Sequence, residues 1–225
     1  VSLCVFDAYG TLFDVAAAAR EAAAEPGAEA FAGKWQAVAE TWRQKQLQYT
    51  WLRAAAGIHA DFWQVTADGL DYALESEGVR DAALRERLLA LYRELSAFPE
   101  GPGMLRALRT EGHRTAILSN ASPAMLSAAV SSAGLSDLLD AQLSAESAGV
   151  YKPDFRVYDI VGQAFGLPRR SVLFVSSNGW DAWAATAYGF RTVWANRRGE
   201  PLDRLTCPPD RVVSDLSDRK STRLN

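Results

Sequence analysis

Two segments far apart in the chain each end an apolar run in groups that can do chemistry. The first is Val5-Phe6-Asp7-Ala8-Tyr9-Gly10-Thr11-Leu12, which delivers an aspartate and then breaks at Gly10. The second is Leu173-Phe174-Val175-Ser176-Ser177-Asn178-Gly179-Trp180-Asp181. Asp7 is the candidate nucleophile, because an aspartate is ionised at neutral pH. Metal-assisted phosphoryl transfer built on these segments would want a second acid at position 9 and paired acids near 177–178, since Mg²⁺ takes carboxylate ligands. Those places hold Tyr9, Ser177 and Asn178. Only Asp7 and Asp181 remain, which is thin for a metal site, and none is expected.

Other polar groups follow apolar runs in the same way. Ser119 and Asn120 close Thr115-Ala116-Ile117-Leu118, and Lys152 stands before Pro153. In an open α/β sheet the reactive crevice lies at the carboxyl ends of the strands, so one sheet edge would gather all of these. A buried carboxylate keeps its charge only beside a cation and hydrogen-bond donors. Lys152 would supply the cation, and Thr11, Ser176 and backbone N–H groups the donors. The plainer alternative is that Asp7 only caps the turn after its strand. Arg43 is either a solvated surface residue or a site cation. Tyr9, Phe62 and Trp180 either line an apolar pocket or pack in the core, and Tyr158 is core or site.

Several familiar chemistries lack support. His59 and His113 are the only histidines, and no Cys or acid cluster stands at zinc-ligand spacing. Gly101-Pro102-Gly103 has no strand before it and Arg106 where a dinucleotide fingerprint has its third glycine. No Gly-x-Ser-x-Gly elbow occurs.

The elements that must hold these groups follow from periodicity. Residues 2–6 read as a short buried strand. From about Asp14 to Leu95 the pattern is helical throughout, rich in Ala, Glu, Arg, Gln and Leu, with Trp35, Val38, Trp42 and Tyr49 at helical spacing and two further helices over 61–75 and 80–95. After Pro99-Glu100-Gly101 the character changes to helix 103–111, strand 115–119, helix 123–133, a weak strand at 140–143, helix 154–165 with Pro153 at its first position, strand 171–175, helix 180–188 and strand 191–195. Strands alternating with helices indicate a parallel sheet covered on both faces. The expected architecture is α/β: a Rossmann-like parallel-sheet core (1–13 and 97–218) with an all-helical cap (14–96) inserted after the first strand. Residues 219–225 lack any amphipathic period and are expected to be a disordered tail.

The 225 residues suit one core domain plus a smaller insertion, and 48% hydrophobic content with seven tryptophans supports a real core. A net charge of −3 gives no basis for a nucleic-acid or membrane-surface partner. With only Cys4 and Cys207, a disulfide framework is not expected. Neither a signal peptide nor an apolar run of about 18 residues is evident. A soluble cytoplasmic protein is the expectation.

The motif set resembles the haloacid dehalogenase superfamily, and within it the L-2-haloacid dehalogenases, from about residue 2 to 214. The carrying segments are 6–14 (FDAYGTLFD), 42–53 (WRQKQLQYTWLR), Ile117-Leu118-Ser119-Asn120, Tyr151-Lys152-Pro153-Asp154 and Phe174–Asp181. The second and the last are particular to the dehalogenase branch. The resemblance implies that Asp7 attacks the α-carbon of a short L-2-haloalkanoic acid and displaces halide with inversion. Arg43 and Asn120 would cradle the halide beside Phe62, and Ser119 with backbone N–H groups near Tyr9 would hold the substrate carboxylate. Lys152, Thr11 and Ser176 would position Asp7. Asn178 and Asp181 would activate the water that hydrolyses the aspartyl ester, releasing a D-2-hydroxy acid, with Tyr158 supporting the polar network. Tyr9, Gln44, Leu47, Phe62 and Trp180 would surround the substrate side chain. It also implies no metal or other cofactor and a homodimer. The competing expectations are a Mg²⁺-dependent phosphatase on the same fold, which the residues at 9, 177 and 178 disfavour, and a binding protein without activity, which the intact polar set disfavours.

Overall fold

A computed structural model of the protein describes residues 1–218. Among the described residues, six strands form one fully parallel sheet in the order β3-β2-β1-β4-β5-β6. They are β1 (Leu3–Phe6), β2 (Arg114–Ser119), β3 (Ala141–Ser144), β4 (Val172–Ser176), β5 (Arg191–Ala195) and β6 (Arg211–Val213). The order reverses direction beside β1, which pairs β2 on one edge and β4 on the other. This is the Rossmann-like arrangement, and its crevice opens at the carboxyl end of β1.

β1 is buried along its whole length, and its side chains alternate between two apolar layers. Cys4 and Phe6 join the layer that holds Leu105 and Leu108 of α6 (Gly101–Thr110) and Leu126 and Val130 of α7 (Pro123–Ser132). Leu3 and Val5 join the layer with Val157 and Val161 of α8 (Phe155–Phe165) and Ala184 and Ala185 of α9 (Gly179–Tyr188).

Between β1 and α6 the chain forms α1 (Ala17–Ala23), α2 (Glu29–Ala32), α3 (Trp35–Ala56), α4 (Phe62–Ser76) and α5 (Ala82–Arg93). The segment is therefore not helical throughout. Pro26-Gly27 separates α1 from α2, with Gly27 at φ +87°. Gly57 ends α3 in the left-handed conformation at φ +68°. Asp61 and Asp81 cap α4 and α5 by accepting from Trp63 N and Leu84 N. The two ends of the insertion run side by side: Asp14 N donates to Ser96 O at 3.1 Å and Phe98 N to Leu12 O at 2.8 Å.

The predicted strands and helices after residue 100 match within two residues, with two corrections. Pro153 is not the first residue of α8. Asp154 caps that helix by accepting from Arg156 N at 2.9 Å, and the helix starts at Phe155. β6 was not expected; three residues after Pro208-Pro209 are too short a run to show alternation. The tail expected to be disordered lies outside the described residues.

Candidate active site

Asp7 is the first residue past β1, and its N–H continues the ladder to Val175 O at 2.9 Å. The chain then turns sharply through Gly10, at φ +89°. A Cβ there would lie 3.3 Å from Ser177 Oγ and 4.0 Å from an Arg43 nitrogen, so glycine both permits the turn and lets those side chains close on it.

The Asp7 carboxylate is almost fully buried and meets four donors. Lys152 Nζ lies 3.1 Å from Oδ1. On Oδ2, Asn178 Nδ2 donates at 2.9 Å, Thr11 Oγ1 at 3.0 Å and Ser176 Oγ at a long 3.5 Å. The Lys152 ammonium also reaches Asp181 Oδ2 at 2.9 Å, and Tyr158 donates to Asp181 Oδ1 at 2.6 Å. Lys152, Asp181 and Tyr158 are at most 1% exposed. One cation thus serves two buried carboxylates. Burial alone would lower the Lys152 pKa, but Asp181 and Asp7 outweigh it and hold the ammonium above its ordinary value. Burial raises Asp181 above the usual carboxylate range and the like charge of Asp7 adds to this, with Lys152 pulling the other way. Burial, and then the Asp181 charge, push the Tyr158 phenol well up, so it is a neutral donor. Asp7 therefore does far more than cap a turn.

The helices deliver Arg43 to this cluster. Its Nη2 donates to Tyr9 O at 3.1 Å and Asn178 Oδ1 at 3.3 Å, and its Nη1 to Gln46 Oε1 at 2.8 Å. Arg43 is accordingly not a solvated surface residue. Beside it is an aromatic wall in which Tyr9 stacks on Tyr92 with ring centres 5.5 Å apart, and Phe62 lies 6.3 Å from Tyr9. The Tyr9 hydroxyl is buried without a hydrogen-bond partner, and burial raises its pKa. Asn120 Oδ1 accepts from Lys152 N at 2.9 Å, which fixes the loop that presents the ammonium and leaves Nδ2 as the remaining donor. Ser119 Oγ accepts from Ala121 N at 3.2 Å at the end of β2. Leu47 is half-buried, and Trp180 is half-buried with its ring edge on Trp51, centres 5.4 Å apart.

Gln44 departs from expectation. It is exposed, because α3 turns its buried stripe of Val38, Trp42, Gln46 and Thr50 inward and position 44 falls about 200° round from Trp42. Gln46 was the residue missed. The one signal for it is a polar side chain breaking the stripe one turn after Trp42. Among the described residues no group of three or more His, Cys, Asp or Glu is gathered. No described helix is long and apolar enough to cross a membrane.

A family model for haloacid dehalogenase-like hydrolases matches residues 1–189. The chain is 44% identical to an (S)-2-haloacid dehalogenase of Pseudomonas sp. strain YL over 94% of its own length and 89% of that protein. It is 42% identical to (S)-2-haloacid dehalogenase 1 of Pseudomonas sp. strain CBS-3, covering 97% and 94%. The solved L-2-haloacid dehalogenase of Xanthobacter autotrophicus, with chloropropionic acid covalently bound, superposes with a TM-score of 0.84 at 35% identity, covering 97% of this chain and 96% of that one. On likeness of this extent, the chain belongs to the L-2-haloacid dehalogenases, within the haloacid dehalogenase-like hydrolases.

Proposed function

We propose that this hydrolase converts short-chain L-2-haloalkanoic acids to D-2-hydroxy acids with inversion, without a metal. The observation that carries the reading is a buried carboxylate braced by an ammonium, with a guanidinium from α3 beside it. An Asp7 oxygen attacks the α-carbon, the C–halogen bond breaks, and the halide leaves with the bonding electrons. Water then attacks the ester carbonyl carbon. The hydroxy acid departs, Asp7 regains its negative charge, and the proton of the attacking water is released. The covalent intermediate splits one difficult displacement into two steps. The covalently held chloropropionic acid in the Xanthobacter relative supports that route.

The residues divide the work as their contacts allow. Lys152, Thr11 and Ser176 aim and hold Asp7. Arg43 and Asn120, with Phe62 alongside, stabilise the departing anion in a site shielded from bulk water. Ser119 and backbone N–H groups near Tyr9 receive the substrate carboxylate. Asn178 and Asp181 serve the hydrolytic water; a carboxylate raised by burial is a stronger base at neutral pH. Tyr158 keeps Asp181 in place. Tyr9, Leu47, Phe62 and Trp180 form the apolar wall. Residues 14–96 act as a cap on the core formed by 1–13 and 97–218, joined to it where Asp14 and Ser96 run together. Exposed Trp51, Leu52 and Ile58 near the end of α3 support pairing as a homodimer. Cys4 and Cys207 as free thiols are consistent with a reducing, cytoplasmic setting.

The test is halide release from L- and D-2-chloropropionate with chelator present. Chloride from the L isomer alone, with D-lactate as product, is expected. Chelator-sensitive turnover, or phosphate release that depends on added Mg²⁺, would overturn the reading. Asp7→Asn should abolish halide release and leave the melting temperature within a few degrees of the parent.

A further inference from the structure

Gln46 is buried to 1% exposure near the middle of the longest described helix, with every polar contact of its side chain made to another side chain. Its Oε1 accepts from Arg43 Nη1 at 2.8 Å and lies 3.3 Å from Tyr92 Oη. Its Nε2 donates to Thr66 Oγ1 at 2.8 Å and to Tyr92 Oη at 3.0 Å. Because arginine has only donors, the amide oxygen must be the atom that faces it. The amide cannot flip without setting donor against donor. The Thr66 hydroxyl is committed as well, donating to Phe62 O at 2.7 Å. A run of hydrogen bonds therefore leads from the first turn of α4, through Thr66 and Gln46, to the guanidinium that contacts Tyr9 O and Asn178.

We infer that Gln46 is the positioning residue for Arg43, and that it sets the orientation of the guanidinium over Asp7. The inference rests on the anion-stabilising role proposed above for Arg43. An arginine side chain has four rotatable bonds, and two of its contacts here are to the opposite wall of the site. Gln46 is the neutral contact from its own helix, three residues on, where helical side chains meet. A glutamate in its place would neutralise part of the charge that Arg43 offers to an anion. A glutamine fixes the geometry and leaves the charge free. The close crossing of α3 and α4 keeps the relay rigid: a Cβ on Gly69 would lie 3.2 Å from Gln46 N.

The test compares Gln46→Met with Leu70→Ala, a core truncation in α4 that destabilises without touching Arg43. Each is assayed for kcat, KM and bromide inhibition, and for the Arg43 guanidinium resonance in ¹⁵N NMR, assigned by its loss in Arg43→Lys. Gln46→Met is expected to lower kcat at least about tenfold, weaken bromide inhibition several-fold and broaden the Arg43 signal by exchange. Leu70→Ala should keep kcat within about twofold and keep the sharp signal, at equal or greater loss of stability. Gln46→Glu should keep the Arg43 signal sharp yet still weaken bromide inhibition. A sharp Arg43 signal with parental kcat in Gln46→Met, or equal kcat losses in the Met and Leu70 variants, overturns the inference. The NMR result is independent of turnover. A parent that releases no halide would refute the proposed reaction and leave the positioning of Arg43 still decided by the spectrum.

Discussion

Replacing Lys152 by methionine keeps the length of the side chain and removes the one cation shared by Asp7 and Asp181. At 3.1 Å and 2.9 Å, and an effective dielectric near 20, each contact has a gross attraction of about 5 kcal/mol. Desolvation of three charges takes much of that back, and truncating one partner of a buried pair costs about 3–5 kcal/mol. The pH dependence carries the sharper signature. In the parent, Lys152 lies above its ordinary value, so its contribution is complete below about pH 10 and fades only in stronger alkali. In Lys152→Met the acids lose the cation paired directly with them, and Asp181, already raised by burial, rises further. The folded variant then holds a proton that the unfolded chain does not hold above about pH 4. Its stability falls as pH rises, by up to about 1.4 kcal/mol per unit across that window. Urea unfolding at about pH 5.5 and about pH 8 should show the smaller loss in the parent, where Lys152 opposes the rise of Asp181, with the variant weaker at the higher pH by about 1–3 kcal/mol. Halide release at the higher pH should fall by a factor of about 100 or more, the equivalent of about 3 kcal/mol in the barrier. A variant that unfolds identically at both pH values, or that turns over at the parental rate, would show that the ammonium does not hold this site together.

Three further perturbations probe other parts of the structure. Tyr9→Phe removes a buried hydroxyl that has no partner, so the melting temperature should rise by about 2–4 °C; a fall would mean that the hydroxyl is satisfied after all. Burial pushes the Cys4 thiol up to about 12, so a disulfide reagent at mildly alkaline pH should titrate one thiol, exposed Cys207, in the native protein and two in urea; two fast thiols in the native state would contradict the buried first strand. Gly69→Ala sets a gain of about 1 kcal/mol in helix propensity against a Cβ placed 3.2 Å from Gln46 N and 3.4 Å from Trp42 O, backbone atoms that cannot step aside. A net loss of about 1–2 kcal/mol by thermal unfolding is expected, and a gain would show that α3 and α4 can separate at no cost.

The parts of the fold legible in sequence are those with local causes. β1, β2, β4 and β5 show as short apolar runs, and Gly134 and Gly166 mark helix ends because both take positive φ. The carboxyl-end rule then gathers Asp7, Lys152 and Asp181 at one sheet edge. What was not legible depends on contacts between distant segments. The breaks in the helical insertion come from capping aspartates and Pro26-Gly27, which look weak inside an Ala- and Glu-rich stretch. Gln46 resembles any polar helix residue until Thr66 and Tyr92 close on it, and Gln44 is separated from it only by helical phase. β6 is a strand because β5 offers it an edge.

The position of β1 within the sheet bears on how a growing chain reaches its native state. Its partner β2 follows after the whole helical insertion, and its partner β4 later still, so one flank of β1 stays bare until Val172–Ser176 leave the ribosome. A shorter delay separates Asp7 from the ammonium of Lys152, which precedes β4 in the chain. A polypeptide released before β4 would carry an open apolar strand edge, and one released before Lys152 an unmatched acid at its tip as well, the kind of surface that seeks pairing with other chains. Chaperone engagement of stalled chains should therefore persist through the synthesis of α8 and cease once β4 has docked.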